Sequence, residues 1–200
     1  MEGPDPRAAG RDYAPAARRI AVVVLAAALL AATGWWAWQQ PFMAQARTLY
    51  ELSRLPPPAA LPVPVDGVAA ARIADSWGAP RGRDRRHQGV DIFAPRGTPV
   101  RSTSRGVVAS LREGGLGGRQ VWITGPARQR HYYAHLDSFA DGLAVGDVVW
   151  PGDAIGGVGD SGNARGTPTH LHYGIYGADG ALDPLPLLRA GARSRPGEAR

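Results

Sequence analysis

The hydrophobic pattern divides the chain into two unlike parts. From Ile20 to Trp38 nineteen residues pass without a charge, and as a helix this run rises about 28 Å, close to the roughly 30 Å hydrocarbon core of a bilayer. No polar face is left for water, so the run predicts a membrane span rather than a buried soluble helix. Beyond about residue 66 the pattern changes to short apolar runs punctuated by glycine and proline. Residues 90–94, 99–101, 106–111, 120–124, 131–136, 147–150, 154–158 and 170–176 read as strands joined by turns, the spacing of an all-β domain of antiparallel sheets.

The flanks of the span set its orientation. Arg18 and Arg19 abut its start and Trp35, Trp36 and Trp38 lie near its end, which predicts a cytoplasmic N-terminus and an aromatic belt at the far interface. A cleaved signal peptide is the rival reading; the run is longer than a usual apolar signal core and no clean small-x-small site follows, which favours an uncleaved anchor. Residues 39–55 are expected to form a short juxtamembrane helix with Phe42, Leu49, Leu52 and Leu55 loosely periodic. Pro56, Pro57, Pro58, Pro62 and Pro64 then predict a stiff spacer that holds the following domain off the membrane. The expected organisation is a cytoplasmic tail 1–19, span 20–38, juxtamembrane segment and linker 39–65, a β-rich domain 66–186 and a disordered tail 187–200.

Composition narrows the chemistry. Cysteine is absent from the 200 residues, so any metal must be held by nitrogen and oxygen donors. The net charge of +6 comes from arginines that are mostly scattered, and only Arg81, Arg83, Arg85 and Arg86 cluster. No nucleic-acid motif accompanies them, and no nucleic-acid partner is expected. As a function, the cluster would steer an anionic polymer toward the adjacent His87; otherwise it is a solvated loop. Gly114 to Gly118 lacks the helix that a phosphate loop requires and predicts a hairpin turn.

Four of the five histidines fall in short motifs: His87-Gln-Gly-Val-Asp91, Tyr133-Ala-His135-Leu136 and His170-Leu-His172. Imidazole and carboxylate are ordinary zinc donors, and a catalytic zinc holds three protein ligands and keeps a fourth position open. In a strand, His170 and His172 project to one face while Leu171 and Tyr173 face the other. Spacing leaves open which of the two histidines binds metal. The same alternation places Tyr133 on the face of His135, either near the site or in the core. His131 has no evident part in the site and reads as a packing or solvated histidine.

These motifs, with Asp75-Ser-Trp-Gly-Ala-Pro80, Val145-Gly-Asp-Val-Val-Trp-Pro-Gly152 and Gly156 to Gly162, occur in one continuous order over residues 66–186. In this order and spacing the chain resembles the lysostaphin/LytM-type zinc metallopeptidases. The resemblance implies a small antiparallel β-sandwich, one Zn2+ per chain on His87, Asp91 and His172, and His135 and His170 as uncoordinated active-site histidines. It also implies hydrolysis of peptide cross-links in peptidoglycan, with D-alanyl to meso-diaminopimelyl bonds placed first. No His-Glu-x-x-His helix is present to supply a glutamate base, so proton transfer is expected from His135 and His170, with their individual roles open. The expected location is the bacterial inner membrane, single-pass, with the domain on the periplasmic side. The alternative is a non-hydrolytic regulator that binds peptidoglycan or activates a cell-wall amidase as its partner.

Overall fold

The computed structural model describes residues 14–40 and 43–193. The remainder of the expected cytoplasmic tail and residues 194–200 lie outside the described residues. Helix α1 (Ala14–Gln39) contains Ala16–Gln39, a stretch with mean hydropathy 2.1 and long and apolar enough to cross a membrane. From Gln45 onward the chain forms a separate packed unit.

That unit begins with α2 (Ala44–Arg54) and ends with α3 (Leu185–Arg193). Between them run nine strands: β1 (Val90–Phe93), β2 (Pro99–Arg101), β3 (Gly106–Arg112), β4 (Arg119–Thr124), β5 (Arg130–Phe139), β6 (Val148–Val149), β7 (Ala154–Val158), β8 (His170–Gly177) and β9 (Gly180–Leu182). Every strand pairing is antiparallel. The main order is β1-β8-β5-β4-β3-β6, with β9 beside β8. Strand β5 serves two neighbourhoods: residues 130–134 pair with β8, and residues 136–139 pair with β7, which in turn pairs with β2.

Alternation explains which face each strand buries. Val90 and Ile92, Val121 and Ile123, and Leu171, Tyr173 and Ile175 point into the core, each at most 1% exposed. Their neighbours Asp91, Trp122, His170 and His172 occupy the opposite face. Inside this apolar layer lies a polar knot. Tyr133 and Tyr173 hydroxyls each stand 2.8 Å from Thr103 Oγ1, the Thr103 amide donates to the Tyr133 hydroxyl at 3.0 Å, and His131 Nδ1 lies 2.8 Å from the Tyr173 hydroxyl. These bonds make burial of four polar side chains tolerable. Tyr133 is therefore a core residue, and His131 is a packing histidine.

The packed unit exceeds the expected bounds 66–186 at both ends. Leu61 and Val65, in the segment expected to be a free spacer, belong to the core. The Leu61 amide donates to Leu187 O at 3.0 Å, and Val65 bridges to Val100. Leu52 of α2 is fully buried. Each such leucine contributes about 1.5–3 kcal/mol by leaving water, enough to hold a proline-rich strap against the sheet. At the other end, residues expected to start a disordered tail form α3, because Leu185 and Leu188 bury in the same core.

Burial pushes the His131 imidazole down to about 4, against about 6.5 in an unfolded chain. Between those values the unfolded state binds more protons, so this contribution to stability is complete above about pH 6.5 and is lost as pH falls toward 4. We expect His131→Gln to be less stable than wild type at pH 7, through loss of the Tyr173 bond. Between pH 7 and 5 it should lose about 2 kcal/mol less than wild type. Urea unfolding at both pH values measures this, and equal losses in the two proteins would contradict the account.

Candidate metal centre

Strands β1 and β8 position two of the donors. Asp91 and His172 are register partners across the antiparallel pair, both on the solvent face. The third donor, His87, precedes β1 and is fixed by a local hairpin: its amide donates to Ala79 O and its carbonyl accepts from Gly78 N, both at 2.9 Å. Its Nδ1 lies 2.8 Å from Ser76 O. A carbonyl only accepts, so Nδ1 carries the proton and Nε2 presents a lone pair. His87 Nε2, His172 Nδ1 and Asp91 Oδ1 then form a triangle with sides of 2.9, 3.1 and 3.1 Å.

Three electron-rich atoms this close need a proton or a cation among them. The edge of a tetrahedron with ligand distances of about 2.0 Å is about 3.3 Å, so the triangle has the dimensions of a first coordination shell. Two imidazoles and one carboxylate suit zinc, and the donor set fits the ion that the sequence implied. Burial draws the Asp91 carboxyl upward, but bonds and charge from His172 and His87 outweigh it and hold it well below the usual carboxylate range. Asp91 is anionic at neutral pH, while burial pushes His172 downward and favours its neutral, ligating form. Asp91 Oδ2 pairs with Arg81, which leaves Oδ1 as the donor aimed at the two imidazoles.

His170 and His135 stand beside the triangle. Alternation along β8 puts His170 on the face of His172. For His135 the alternation inferred from sequence fails. Tyr133 and Leu136 are both fully buried, and His135 between them adopts φ 63°, a left-handed conformation that a residue other than glycine adopts only under constraint. This local bulge turns the imidazole into the groove, with its ring centroid 5.1 Å from His170 and 5.9 Å from His172. His135 Nδ1 lies 2.9 Å from Ser161 O and His170 Nδ1 lies 2.8 Å from Pro168 O. Both rings thus present Nε2. Burial pushes His135 down to about 4, so it is neutral at pH 7.

A groove of about 750 Å³ opens over these residues. Its walls are the β3–β4 hairpin at Leu116 and Gly117, the loop at Asn163 and Thr167, and the arginine loop at Arg85 and Arg86. The hairpin and the second loop touch backbone to backbone: a Cβ at Gly118 would lie 2.4 Å from Gly162 N, and one at Gly162 would lie 2.4 Å from Gly118 N. Only glycine at both positions permits this wall.

The profile of peptidase family M23 matches residues 85–184, half of the chain. The chain belongs to this family. An L-Ala–D-Glu endopeptidase of Bacillus subtilis is 41% identical over 145 residues, covering 67% of this chain and 44% of the relative. The catalytic domain of lysostaphin from Staphylococcus simulans superposes with TM-score 0.51 at 30% identity, covering 60% of this chain and 95% of that one. A zinc-containing peptidase from Vibrio cholerae gives TM-score 0.55 at 29% identity, over 63% and 39% of the two chains. The chain spans less than half the length of the curated relatives it matches.

All five predicted site residues of this M23 chain meet in one groove. The Ser76, Ser161 and Pro168 carbonyls, which orient His87, His135 and His170, were not identified from sequence, because backbone acceptors leave no side-chain signature; Arg81, which pairs with Asp91, was read only as part of the arginine cluster. Gly89 is a further requirement. A Cβ there would lie 2.8 Å from His172 Cε1 and 2.5 Å from Tyr173 O, so alanine must displace the ligand ring or its strand. Gly89→Ala is expected to weaken zinc retention roughly 10–100-fold while the sheet still forms. Zinc analysis after dialysis against a graded chelator, with circular dichroism beside it, reads this directly; undiminished retention would refute the crowding argument.

Proposed function

We propose that this chain is a membrane-anchored zinc endopeptidase that hydrolyses peptide cross-links of peptidoglycan, D-Ala to meso-diaminopimelate bonds first among them. The observation that carries this reading is the convergence of His87 Nε2, Asp91 Oδ1 and His172 Nδ1 beside two further imidazoles in an open groove. The names of related proteins support the substrate class: an L-Ala–D-Glu endopeptidase, and a DD-carboxypeptidase/endopeptidase of Neisseria at 42% identity over 89 residues. A non-hydrolytic regulator would leave this complete donor set without a purpose.

The division of labour follows from the residues. His87, Asp91 and His172 would hold one zinc ion per chain, which would supply Lewis-acid polarisation and lower the pKa of water to about 7. His135 and His170 move the protons. Each has its Nδ1 proton committed to a backbone carbonyl, so each works through Nε2: a ring that takes a proton from water there becomes the imidazolium that returns it to the leaving amine. Tyr132 borders the groove, and burial pushes its phenol up to about 12, which keeps it a hydroxyl donor at neutral pH. Helix α1 serves as the anchor, and Arg18 and Arg19 at its N-terminal end put the domain on the periplasmic side of the bacterial inner membrane, where the polymer lies.

Digestion of purified cross-linked peptidoglycan by the full chain in detergent, with zinc and with a chelated control, tests the reading by mass spectrometry of the released muropeptides. Chelator-sensitive loss of cross-linked dimers is expected, and the fragment masses distinguish that bond from L-Ala–D-Glu. No cleavage by zinc-loaded protein would overturn the endopeptidase assignment. His87→Ala is expected to lose both zinc and activity. His135→Ala is expected to keep zinc and lose turnover by about 10²–10⁴; near-normal turnover in that variant would remove His135 from the mechanism.

A further inference from the structure

The groove floor continues past the metal site as a row of aromatic rings on the solvent face of the sheet. Tyr132 of β5 stands between His172, at 5.7 Å between ring centroids, and Trp122 of β4, which stacks on it at 4.3 Å. Tyr176 of β8 closes on Trp122 at 5.4 Å. Between His172 and Tyr176 on the same face comes Gly174, the register partner of Tyr132. The absence of a side chain there admits the Gln88 carbonyl, which a Cβ at Gly174 would meet at 2.9 Å, so the Gln88 backbone borders the row of rings on that side.

Arg130 stands at the end of this row of rings, directly across the ladder from Tyr176. Its guanidinium carbon lies 4.3 Å from the centroid of the Trp122 ring. Five other arginines of the domain, Arg81, Arg96, Arg101, Arg105 and Arg119, hold carboxylates. Among the described residues, no carboxylate pairs with Arg130. Stacking occupies the face of a guanidinium and leaves its edge N–H donors free, and those donors form the fork that matches a carboxylate. The indole also fixes the side chain in advance, so a ligand meets a group that has already lost much of its rotamer freedom.

The spacing identifies what would reach it. Ala134 is the register partner of His172, and Arg130 lies four residues earlier on the same strand, about 13 Å away. An extended peptide whose reacting carbonyl lies at the metal centre covers that distance in about four residues. Resting on the peptidase reading above, we infer that Arg130, held by Trp122, is a specificity-determining subsite for a substrate carboxylate about four residues from the scissile bond. An acidic side chain and a free C-terminus offer the same chemistry.

The test uses the full zinc-loaded chain in detergent and defined cross-linked stem peptides in four forms: unmodified, amidated at acidic side chains, amidated at the C-terminus, and amidated at both. Cleavage kinetics and calorimetric binding are compared for wild type, Arg130→Gln and Arg130→Lys, with thermal melting as the folding control. For the unmodified peptide, Arg130→Gln is expected to raise KM and Kd roughly tenfold, with the loss falling on KM rather than kcat. Lysine should recover part of it. Amidation at one position should abolish the difference between wild type and Arg130→Gln, and that position names the source of the carboxylate. Equal KM and Kd in wild type and Arg130→Gln, or a tenfold loss that persists on the doubly amidated peptide, would overturn the inference while leaving the peptidase reading intact. If wild type neither binds nor cleaves any form, both fall.

Discussion

The antiparallel pairing of β1 with β8 is the constraint on which the site depends. It sets Asp91 directly opposite His172 on the solvent face, and the residues on either side of each, Val90 and Ile92, Leu171 and Tyr173, are buried in the core. A slip of one residue would carry the carboxylate or the imidazole into the apolar layer and expose the core residues in exchange. Burial of those four side chains thus fixes the relative position of two donors eighty-one residues apart in sequence. The third donor is added locally, by the short hairpin that ends at His87 and commits its Nδ1 to Ser76 O.

The polar knot beneath the sheet has a related effect. The hydroxyls of Thr103, Tyr133 and Tyr173 and His131 Nδ1 bond to one another between β5, β8 and the segment after β2. A buried network of this kind is tolerable only in one arrangement of strands, and Tyr173 adjoins the ligand His172. The face that holds the metal donors and the face that holds the knot are the two sides of the same strands, so packing on one side sets geometry on the other.

The groove is made by departures from regular structure. A left-handed residue in β5 turns His135 outward, and two glycines let the hairpin and the following loop meet backbone to backbone. Arginines then line or flank it at several points, each constrained differently: Arg81 by Asp91, Arg130 by Trp122.

Much of this was legible in the residues. Eight strands followed from alternation between turn signals, each observed within a few residues of its expected bounds, because burial on one face imposes a period of two wherever a strand is half buried. Alternation also put His170 and His172 on one face. The family's motif order implied the His87, Asp91 and His172 set, which the structure brings into a triangle. Strand β9 escaped notice because its three residues, Gly180–Leu182, are too few to show a period. Leu61 and Leu188 escaped because isolated apolar residues among prolines or near an end show no pattern until something is there to receive them, and Leu52, though placed on a helix, gave no sign of the core that buries it. His135 shows the limit most plainly: its residue type and motif were visible, but its direction depended on a backbone angle imposed by neighbouring strands. The sequence by itself determined the donor chemistry and the strands, since both reside in residue type and local period. The tertiary structure alone decided which atoms face one another, since that depends on register, bulges and close contacts between segments distant in the chain.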